Sequence, residues 1–201
     1  KEVFSLPPDA TVDGAWSSVF VPVLSFRGTD SFSYIVDRTL YRPREIILFV
    51  NDCLEQSAKR LELIDYSLIS EAEKKYSKDR LQDIAAEYRF QYPGILSVMD
   101  AFRGRVYRIS RSELISLIDQ IRSFPSSAKM SWLSSLDNEG VIKALYDVGF
   151  IKALAVGGDK GKARSGSKWV GQYQNSLIDL GRIDSFQVHP MFRSALNMKE
   201  K

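Results

Sequence analysis

The 201-residue chain has a single cysteine, Cys53, and a single histidine, His189. One cysteine excludes an internal disulfide and any metal site built on a pair of cysteines, and no other metal-ligand spacing is present. No run approaches the roughly 18 apolar residues that a membrane-spanning helix needs. The sequence also lacks a charged-then-apolar leader at its start. We therefore expect a cytoplasmic protein with no membrane partner and no metal.

The chain also lacks a strong excess of charge of either sign. It has 28 basic and 25 acidic residues, a formal net charge of +3, and its 44% hydrophobic and 26% charged residues are typical of a globular protein. This balance does not indicate a nucleic-acid-binding or membrane-binding protein. Any basic surface must therefore be local. The first residue is Lys1, and we expect the chain to be a piece of a longer protein.

Residues 1–29 hold three prolines, Pro7, Pro8 and Pro22, and are predicted to form an extended N-terminal arm. From Asp30 the apolar residues take helical spacing, with Asp30 or Ser31 as the N-cap. The apolar face of this short helix is predicted to comprise Phe32, Ile35, Val36 and Leu40.

Pro43 suits the first position of a second helix. Its apolar stripe is predicted to comprise Ile46, Ile47, Val50, Cys53, Leu54 and Ala58, with Glu45, Asp52, Glu55 and Lys59 mostly on the other side. Ser67 or Ser70 opens a further helix, and Ser77 is predicted to cap another that ends before Pro93. Residues 30–93 therefore read as a helical bundle.

After Gly94 the pattern changes to helix, strand, helix, helix, strand, glycine-rich turn and strand. Ser110 and Glu113 form a capping box, and Gly149 is predicted to end a helix with Phe150 packing back on Leu145. This order is typical of a winged helix, which we assign to residues 94–201. The predicted fold class is mainly α with a small β component, a helical bundle followed by a winged-helix domain.

Four stretches resemble a known family. They are YIVDRTLYRPREII (34–47), YSxxRL (76–81), LYDVGFI (145–151) and HPMF (189–192). They look like the C-terminal part of prokaryotic P-loop ATPases similar to STAND-type signalling ATPases and origin-recognition initiators, some of them associated with phage defence. The resemblance runs from Ala15 to Leu196. It implies a lid-like role for the helical bundle, followed by the winged helix.

In such ATPases the Walker motifs lie in an N-terminal domain that this chain does not contain. The resemblance therefore implies a non-catalytic regulatory module. It implies no cofactor in this chain, ATP on the absent N-terminal domain, and that P-loop domain as a partner. Self-association or another protein partner stays open.

Three arginines, Arg38, Arg42 and Arg44, surround the start of the second helix, where the helix dipole disfavours cations. Arg42 and Arg44 flank Pro43, so their charge adds to the free N–H groups and makes a site suited to an anion. The resemblance implies that these arginines sense nucleotide phosphate from the lid. The alternative is that they pair with Asp37, Glu45 or other carboxylates of the bundle.

The glycine-rich turn at residues 157–168, GGDKGKARSGSK, is the second candidate site. Its cations are Lys160, Lys162, Arg164 and Lys168, opposed by one carboxylate, Asp159. A basic wing of this kind suits a phosphate backbone, whereas a solvated hairpin tip has the same composition. The turn is not a Walker A loop, because Val156 replaces the first glycine of that motif and Ala163 follows Lys162.

The helix that would enter a DNA groove carries Asp137, Glu139, Lys143 and Asp147, so phosphates would repel it. No catalytic residue is identified. Cys53 on an apolar stripe is expected to be buried and inert, and His189 to begin a helix. Glu71, Glu73, Asp79 and Asp83 are expected on solvated helix faces. Two functions remain, a regulatory module of an ATPase or a winged-helix DNA-binding protein that contacts phosphates through the wing.

Overall fold

The computed structural model describes residues 11–24, 28–58, 62–124, 130–155 and 166–200. It is mainly α with a small β component, which confirms the predicted fold class. The helices are α1 (Val12–Ser17), α2 (Ser31–Val36), α3 (Pro43–Ser57), α4 (Tyr66–Glu87), α5 (Ile95–Asp100), α6 (Arg111–Arg122), α7 (Ser131–Ser135), α8 (Asn138–Asp147) and α9 (Pro190–Arg193). The strands are β1 (Val23–Leu24), β2 (Thr29–Asp30), β3 (Arg108–Ser110), β4 (Ile151–Ala155), β5 (Lys168–Val170) and β6 (Ser185–Val188).

The chain divides into two compact units, one up to Ser77 and one from Lys78 onward, with the division inside α4. The three predicted segments, 1–29, 30–93 and 94–201, stay a prediction about domains. Across the described ranges, no helix combines the length and the apolar character needed to cross a bilayer.

The first unit begins with a helix where an extended arm was predicted. Residues 1–10 lie outside the described ranges, but Val12–Ser17 form α1, so the arm prediction is wrong there. Thr11 caps α1, because its side chain accepts a hydrogen bond from the Gly14 N–H. Trp16 stacks on Phe20 at 4.2 Å between ring centroids, and Phe20 is buried. The aromatic stack therefore joins this segment to the core of the first unit.

Asp30 is the N-cap of α2, as predicted, and its carboxylate accepts the Ser33 N–H at 2.7 Å. This hydrogen bond is the main cause that lowers the pKa of Asp30. Ile35 is buried as expected, but Phe32 is 49% exposed and Tyr34 is buried in its place. The buried face of α2 therefore contains Tyr34 and Ile35 and not Phe32.

Helix α3 begins at Pro43 as predicted, but it buries a different face from the one expected. Its buried residues are Glu45, Phe49, Asp52, Cys53 and Ser57, whereas Ile47 is 59% exposed. The expectation that Glu45 and Asp52 face solvent is wrong, because they are 5% and 9% exposed. Glu45 accepts the Leu40 N–H, and Asp52 accepts from the exposed Lys75 at the edge of the core. The aromatic ring of Phe49 stacks on Tyr76 and supplies the apolar contact of this face.

Helix α4 is one helix of 22 residues, so the predicted break at Ser77 is wrong. Neither glycine nor proline interrupts residues 66–87. The buried residues Ile69, Ala72 and Tyr76 continue at helical spacing into Leu81 and Ile84. Ser77 is completely buried inside the helix, where its own backbone is already hydrogen-bonded.

In the second unit β3, β4, β5 and β6 form one antiparallel sheet with the order β3-β6-β4-β5. Helices α5, α6 and α8 precede or separate the strands in the predicted order. The C-terminal strand β6 lies between β3 and β4, with Phe186 opposite both Ile109 and Ala153. The hairpin strand β5 is therefore at one edge of the sheet and β3 at the other.

Two local predictions in this unit are confirmed. Ser110 and Glu113 form a capping box at the start of α6. Gly149 follows α8 with a φ of 77°, and the Phe150 N–H donates to the Leu145 carbonyl at 3.0 Å while the Gly149 N–H donates to Tyr146. This pair of hydrogen bonds is a Schellman motif, which requires the left-handed conformation at Gly149.

Replacing Gly149 by alanine is expected to lower the free energy of unfolding by about 1–2 kcal/mol, because a Cβ is strained in the left-handed region. Urea unfolding followed by circular dichroism measures the loss. Gly166→Ala is the control, since a Cβ there meets no atom within 4 Å and the backbone is not left-handed. Equal stability of the Gly149→Ala and Gly166→Ala variants would contradict the assignment of the motif.

Candidate functional site

Side chains from α2, α3 and the turn between them fix the backbone ahead of α3. The Thr39 hydroxyl donates to the Val36 carbonyl at 2.8 Å and accepts the Tyr41 N–H at 3.2 Å. Tyr41 has a φ of 58°, which is uncommon for a residue other than glycine. These contacts hold the turn, so Arg42 arrives in extended conformation as the N-cap of α3.

Glu45 supplies negative charge at the positive end of the α3 dipole. The residue is 5% exposed, lies in the first turn, and accepts the Leu40 N–H through Oε2 at 2.6 Å. A carboxylate at this position is favourable because it compensates the free N–H groups of the helix start. The helix therefore begins with one buried carboxylate, and this carboxylate serves the backbone of the preceding turn.

Arg42 and Arg44 are both exposed on either side of Pro43. Arg42 is the N-cap residue, but its side chain makes no capping hydrogen bond. Arg44 has no ion pair with any residue in the described ranges. The structure thus places two guanidinium-bearing side chains at the surface beside the start of a 15-residue helix.

Arg38, the third predicted sensing residue, lies instead in a buried polar group of the first unit. Its Nε is 3.0 Å from Glu73 Oε1, its Nη1 donates to the Tyr34 carbonyl at 3.1 Å, and its guanidinium lies 3.3 Å from the centroid of the Tyr34 ring. The Tyr34 hydroxyl donates to the other oxygen of Glu73 at 2.9 Å. Arg38 is therefore the arginine of the three that is least available to a phosphate.

Burial affects the protonation of Tyr34 in this polar group. It raises the pKa of the Tyr34 phenol, an effect that the Arg38 cation opposes and the Glu73 carboxylate reinforces. Tyr34 therefore stays protonated and donates its hydrogen bond at physiological pH. The expectation that Glu73 lies on a solvated face is wrong, since it is 8% exposed. The available sequence signal was the i, i+4 spacing of Tyr34 and Arg38 on a face with Ile35.

A second polar contact joins α3 to α4 in the first unit. Lys75 donates to Asp52, which is the main cause of its raised pKa, and lies 3.4 Å from Glu55. Cys53, next to Asp52, is buried as predicted, and burial raises the pKa of its thiol to about 12. A thiol with such a pKa is protonated at neutral pH and is a poor nucleophile.

The basic turn after β4 is described only at its end. Lys168 is exposed at the start of β5, where it pairs with Ala155 in the hairpin. Lys160, Lys162 and Arg164 lie outside the described residues. Whether the four cations form one surface stays a prediction.

Helix α8, the expected groove-facing helix, is flanked along its polar face by another segment of the same unit. Its exposed positions carry Glu139, which pairs with Arg111, and Lys143, which pairs with Asp147 at 2.5 Å. Residues 176–181 lie along the same face and enclose with it a cleft of about 400 Å³. The Tyr146 hydroxyl donates to the Asn175 carbonyl at 2.7 Å and fastens this segment. The acidic charge and the flanking segment both disfavour insertion of α8 into a DNA groove.

His189 begins α9, which confirms the prediction for this residue. The ring is buried, and Nδ1 accepts the Met191 N–H at 3.2 Å. In the neutral ring the proton therefore lies on Nε2, which donates to the Tyr173 hydroxyl at 3.0 Å. Both nitrogens are thus committed to fixing the start of α9, a structural role.

Comparison with known proteins gives two matches. Residues 3–85 match the family model described as the FunZ-associated C-terminal helical domain. The chain is also 27% identical over 131 residues to the putative transposon gamma-delta 80.3 kDa protein of Escherichia coli (strain K12). That match covers 62% of this chain and 19% of the relative, so the chain spans less than a fifth of its length. No solved structure matches the chain.

Glu73→Ala is expected to lower the free energy of unfolding by about 3 kcal/mol, because it leaves the Arg38 cation buried without its partner. Chemical denaturation measures this loss. Glu55→Ala is the control, and since its carboxylate is 65% exposed its pairing with Lys75 should contribute less than about 1 kcal/mol. Similar losses for the two variants would show that the buried group does not depend on this ion pair.

Proposed function

We propose that this chain is the non-catalytic C-terminal regulatory module of a larger P-loop ATPase. The family matched by residues 3–85 is described as a C-terminal helical domain, and the bacterial relative is much longer than the matched region. Both support a module that works within a larger protein. The P-loop parent rests on the resemblance of residues 34–47 and the three other stretches, and ATP would bind to the parent's N-terminal domain.

In this proposal Arg42 and Arg44 sense the nucleotide. The observation that carries it is their exposure at the start of α3, in contrast to Arg38, which is buried against Glu73. Two guanidinium groups beside the N–H groups of a helix start suit the oxygens of a phosphate. Glu45 lies in the first turn of the same helix, where it is buried and accepts the Leu40 N–H.

The second unit would pass this signal on as a winged helix. Its helix and strand order supports that assignment, with β4 and β5 forming the hairpin. The acidic face of α8, flanked by residues 176–181, favours a winged helix that binds its own ATPase domain or a protein partner, including a second copy. The proposed partner is thus a protein surface, with the P-loop domain as the first candidate.

Nucleotide-dependent docking of this chain to the P-loop domain of its parent protein tests the proposal. The double variant Arg42→Ala/Arg44→Ala is expected to weaken ATP-dependent binding by about 10- to 100-fold, since hydrogen bonds between charged groups are lost. Calorimetry with and without a non-hydrolysable ATP analogue measures the change. Arg182→Ala serves as the control, because this arginine is 87% exposed in the second unit. Binding that ignores nucleotide, or an equal loss in the control, would refute the sensing role.

The alternative function is a winged-helix DNA-binding protein that contacts the phosphate backbone through Lys160, Lys162, Arg164 and Lys168. The exposure of Lys168 on β5 favours it, as does the transposon in the name of the bacterial relative. Contacts of this kind are independent of base sequence and depend strongly on salt.

For this alternative, Lys160→Gln/Lys162→Gln/Arg164→Gln is expected to reduce the slope of log affinity against log salt concentration by about three, one for each lost phosphate contact. Fluorescence anisotropy with a labelled DNA duplex at several salt concentrations measures the slope. Lys74→Gln/Lys143→Gln/Arg182→Gln removes the same charge elsewhere. An unchanged slope in the turn variant would rule out the wing as a DNA contact.

A further inference from the structure

Two chain segments of the second unit lie side by side and carry an unusual number of cations. Residues 103–108 run parallel to residues 193–199, joined by a bridge between Val106 and Lys199. The Gly104 N–H donates to Leu196 at 2.8 Å, the Lys199 N–H to Arg105 at 3.0 Å, and the Tyr107 N–H to Lys199 at 3.1 Å. The two segments therefore lie together beside the edge strand β3.

We call this surface the basic edge. Its cations are Lys78, Arg103, Arg105, Arg108, Arg193 and Lys199. Tyr107 brings two of them together, because the Arg193 guanidinium lies 3.7 Å and that of Arg108 5.6 Å from its ring centroid. Lys78 joins the other end, since it lines with Arg103 an open cleft of about 500 Å³.

The contacts of the basic edge include two carboxylates. Asp100 accepts from Arg103 Nε at 2.9 Å, and Glu200 accepts the Tyr107 hydroxyl at 3.0 Å. Six cations against two carboxylates give this surface a larger positive excess than the net +3 of the whole chain. The basic edge is therefore a local positive surface, which the nearly balanced composition of the whole chain does not indicate.

Neutral acceptors contact two arginines of the basic edge, Arg105 and Arg193. Arg105 donates from Nε to the Ala101 carbonyl at 3.0 Å and from Nη2 to Gln120 at 3.1 Å, and Arg193 Nε donates to Val188 at 2.9 Å. Arg103 instead pairs with the Asp100 carboxylate, as Arg38, Arg80, Arg111, Arg122 and Arg182 each pair with a carboxylate elsewhere. A carbonyl or amide fixes a guanidinium without cancelling its charge, so the side chain needs little ordering when it meets an anion.

The surroundings of the basic edge distinguish a nucleic acid from a protein partner. A protein interface usually contains exposed apolar anchors at its centre. In the part of the chain that the structure describes, the exposed large hydrophobic residues are Val12, Val23, Phe32, Tyr41, Ile47, Leu63, Phe90, Phe124 and Leu177. None of them lies in residues 95–108 or 193–199. Binding to phosphates requires no such anchor, and guanidinium groups match phosphate oxygens in geometry.

We propose that the basic edge binds the phosphate backbone of a nucleic acid. The contact is independent of base sequence, of the wing at residues 156–165, and of the nucleotide-sensing arginines of the first unit. It requires only that a run of phosphates lies across the segments 103–108 and 193–199.

The test measures binding of the 201-residue chain to a labelled 20-base-pair DNA duplex by fluorescence anisotropy. Four phosphate contacts predict a loss of affinity of roughly 100-fold between 50 and 200 mM NaCl. The variant Lys78→Gln/Arg105→Gln/Arg108→Gln/Lys199→Gln is expected to bind at least about 30-fold more weakly at 50 mM, with a flatter salt dependence. The loss should be the same when Lys160, Lys162 and Arg164 are already neutralised.

The matched control is Lys74→Gln/Arg89→Gln/Lys143→Gln/Arg182→Gln, which changes the net charge equally at other exposed positions. It should bind within about 3-fold of the unmodified chain, and circular dichroism verifies that both variants are folded. An equal loss in both variants would reduce the effect to bulk charge and overturn the proposal. So would an edge variant that binds like the unmodified chain, or polyglutamate that displaces the duplex as well as unlabelled DNA does, which would indicate an acidic protein partner.

Discussion

The buried Glu73 carboxylate is the constraint that organises the first unit. A buried carboxylate is costly unless it is paired and hydrogen-bonded. Arg38 forms an ion pair with one oxygen of Glu73, and the Tyr34 hydroxyl donates to the other. Both donors come from the α2 region, so meeting this requirement joins α2 to α4. It also removes Arg38 from the surface while Arg42 and Arg44 stay exposed. The candidate sensing site therefore comprises Arg42 and Arg44, because Arg38 is paired with Glu73.

In the second unit, too, arginines that pair with carboxylates differ from arginines that neutral groups hold in place. Arg111 and Arg122 each bind a carboxylate and also main-chain carbonyls, and thereby fasten the segments around α8. Arg105 is instead fixed by the Ala101 carbonyl and the Gln120 amide. Neutral acceptors leave the positive charge of a guanidinium in place. The groups that Arg105 contacts, and not its exposure alone, therefore indicate that the basic edge suits an anion.

Local features were the part of the fold best predicted from sequence. The caps at Asp30 and Ser110, the helix start at Pro43 and the helix end at Gly149 each depend on contacts within a few residues, and all are confirmed. The buried faces of α2 and α3 were predicted poorly. A pattern of apolar residues does not predict that a carboxylate is buried, when its hydrogen-bond partner lies elsewhere in the chain. The helix break expected at Ser77 was wrong for a related reason. Ser77 is buried within α4 and does not cap a new helix.

By itself the sequence determined the fold class, the order of elements in the second half and the presence of three arginines at one helix start. Only the tertiary structure decided which arginine pairs with Glu73, that β6 lies between β3 and β4, and that residues 176–181 flank α8. It alone gathered the cations of the basic edge, which are up to 121 positions apart, from Lys78 to Lys199, in the chain. Caps and periodicity act within a few residues, whereas burial of charge and strand pairing join residues that are far apart in sequence.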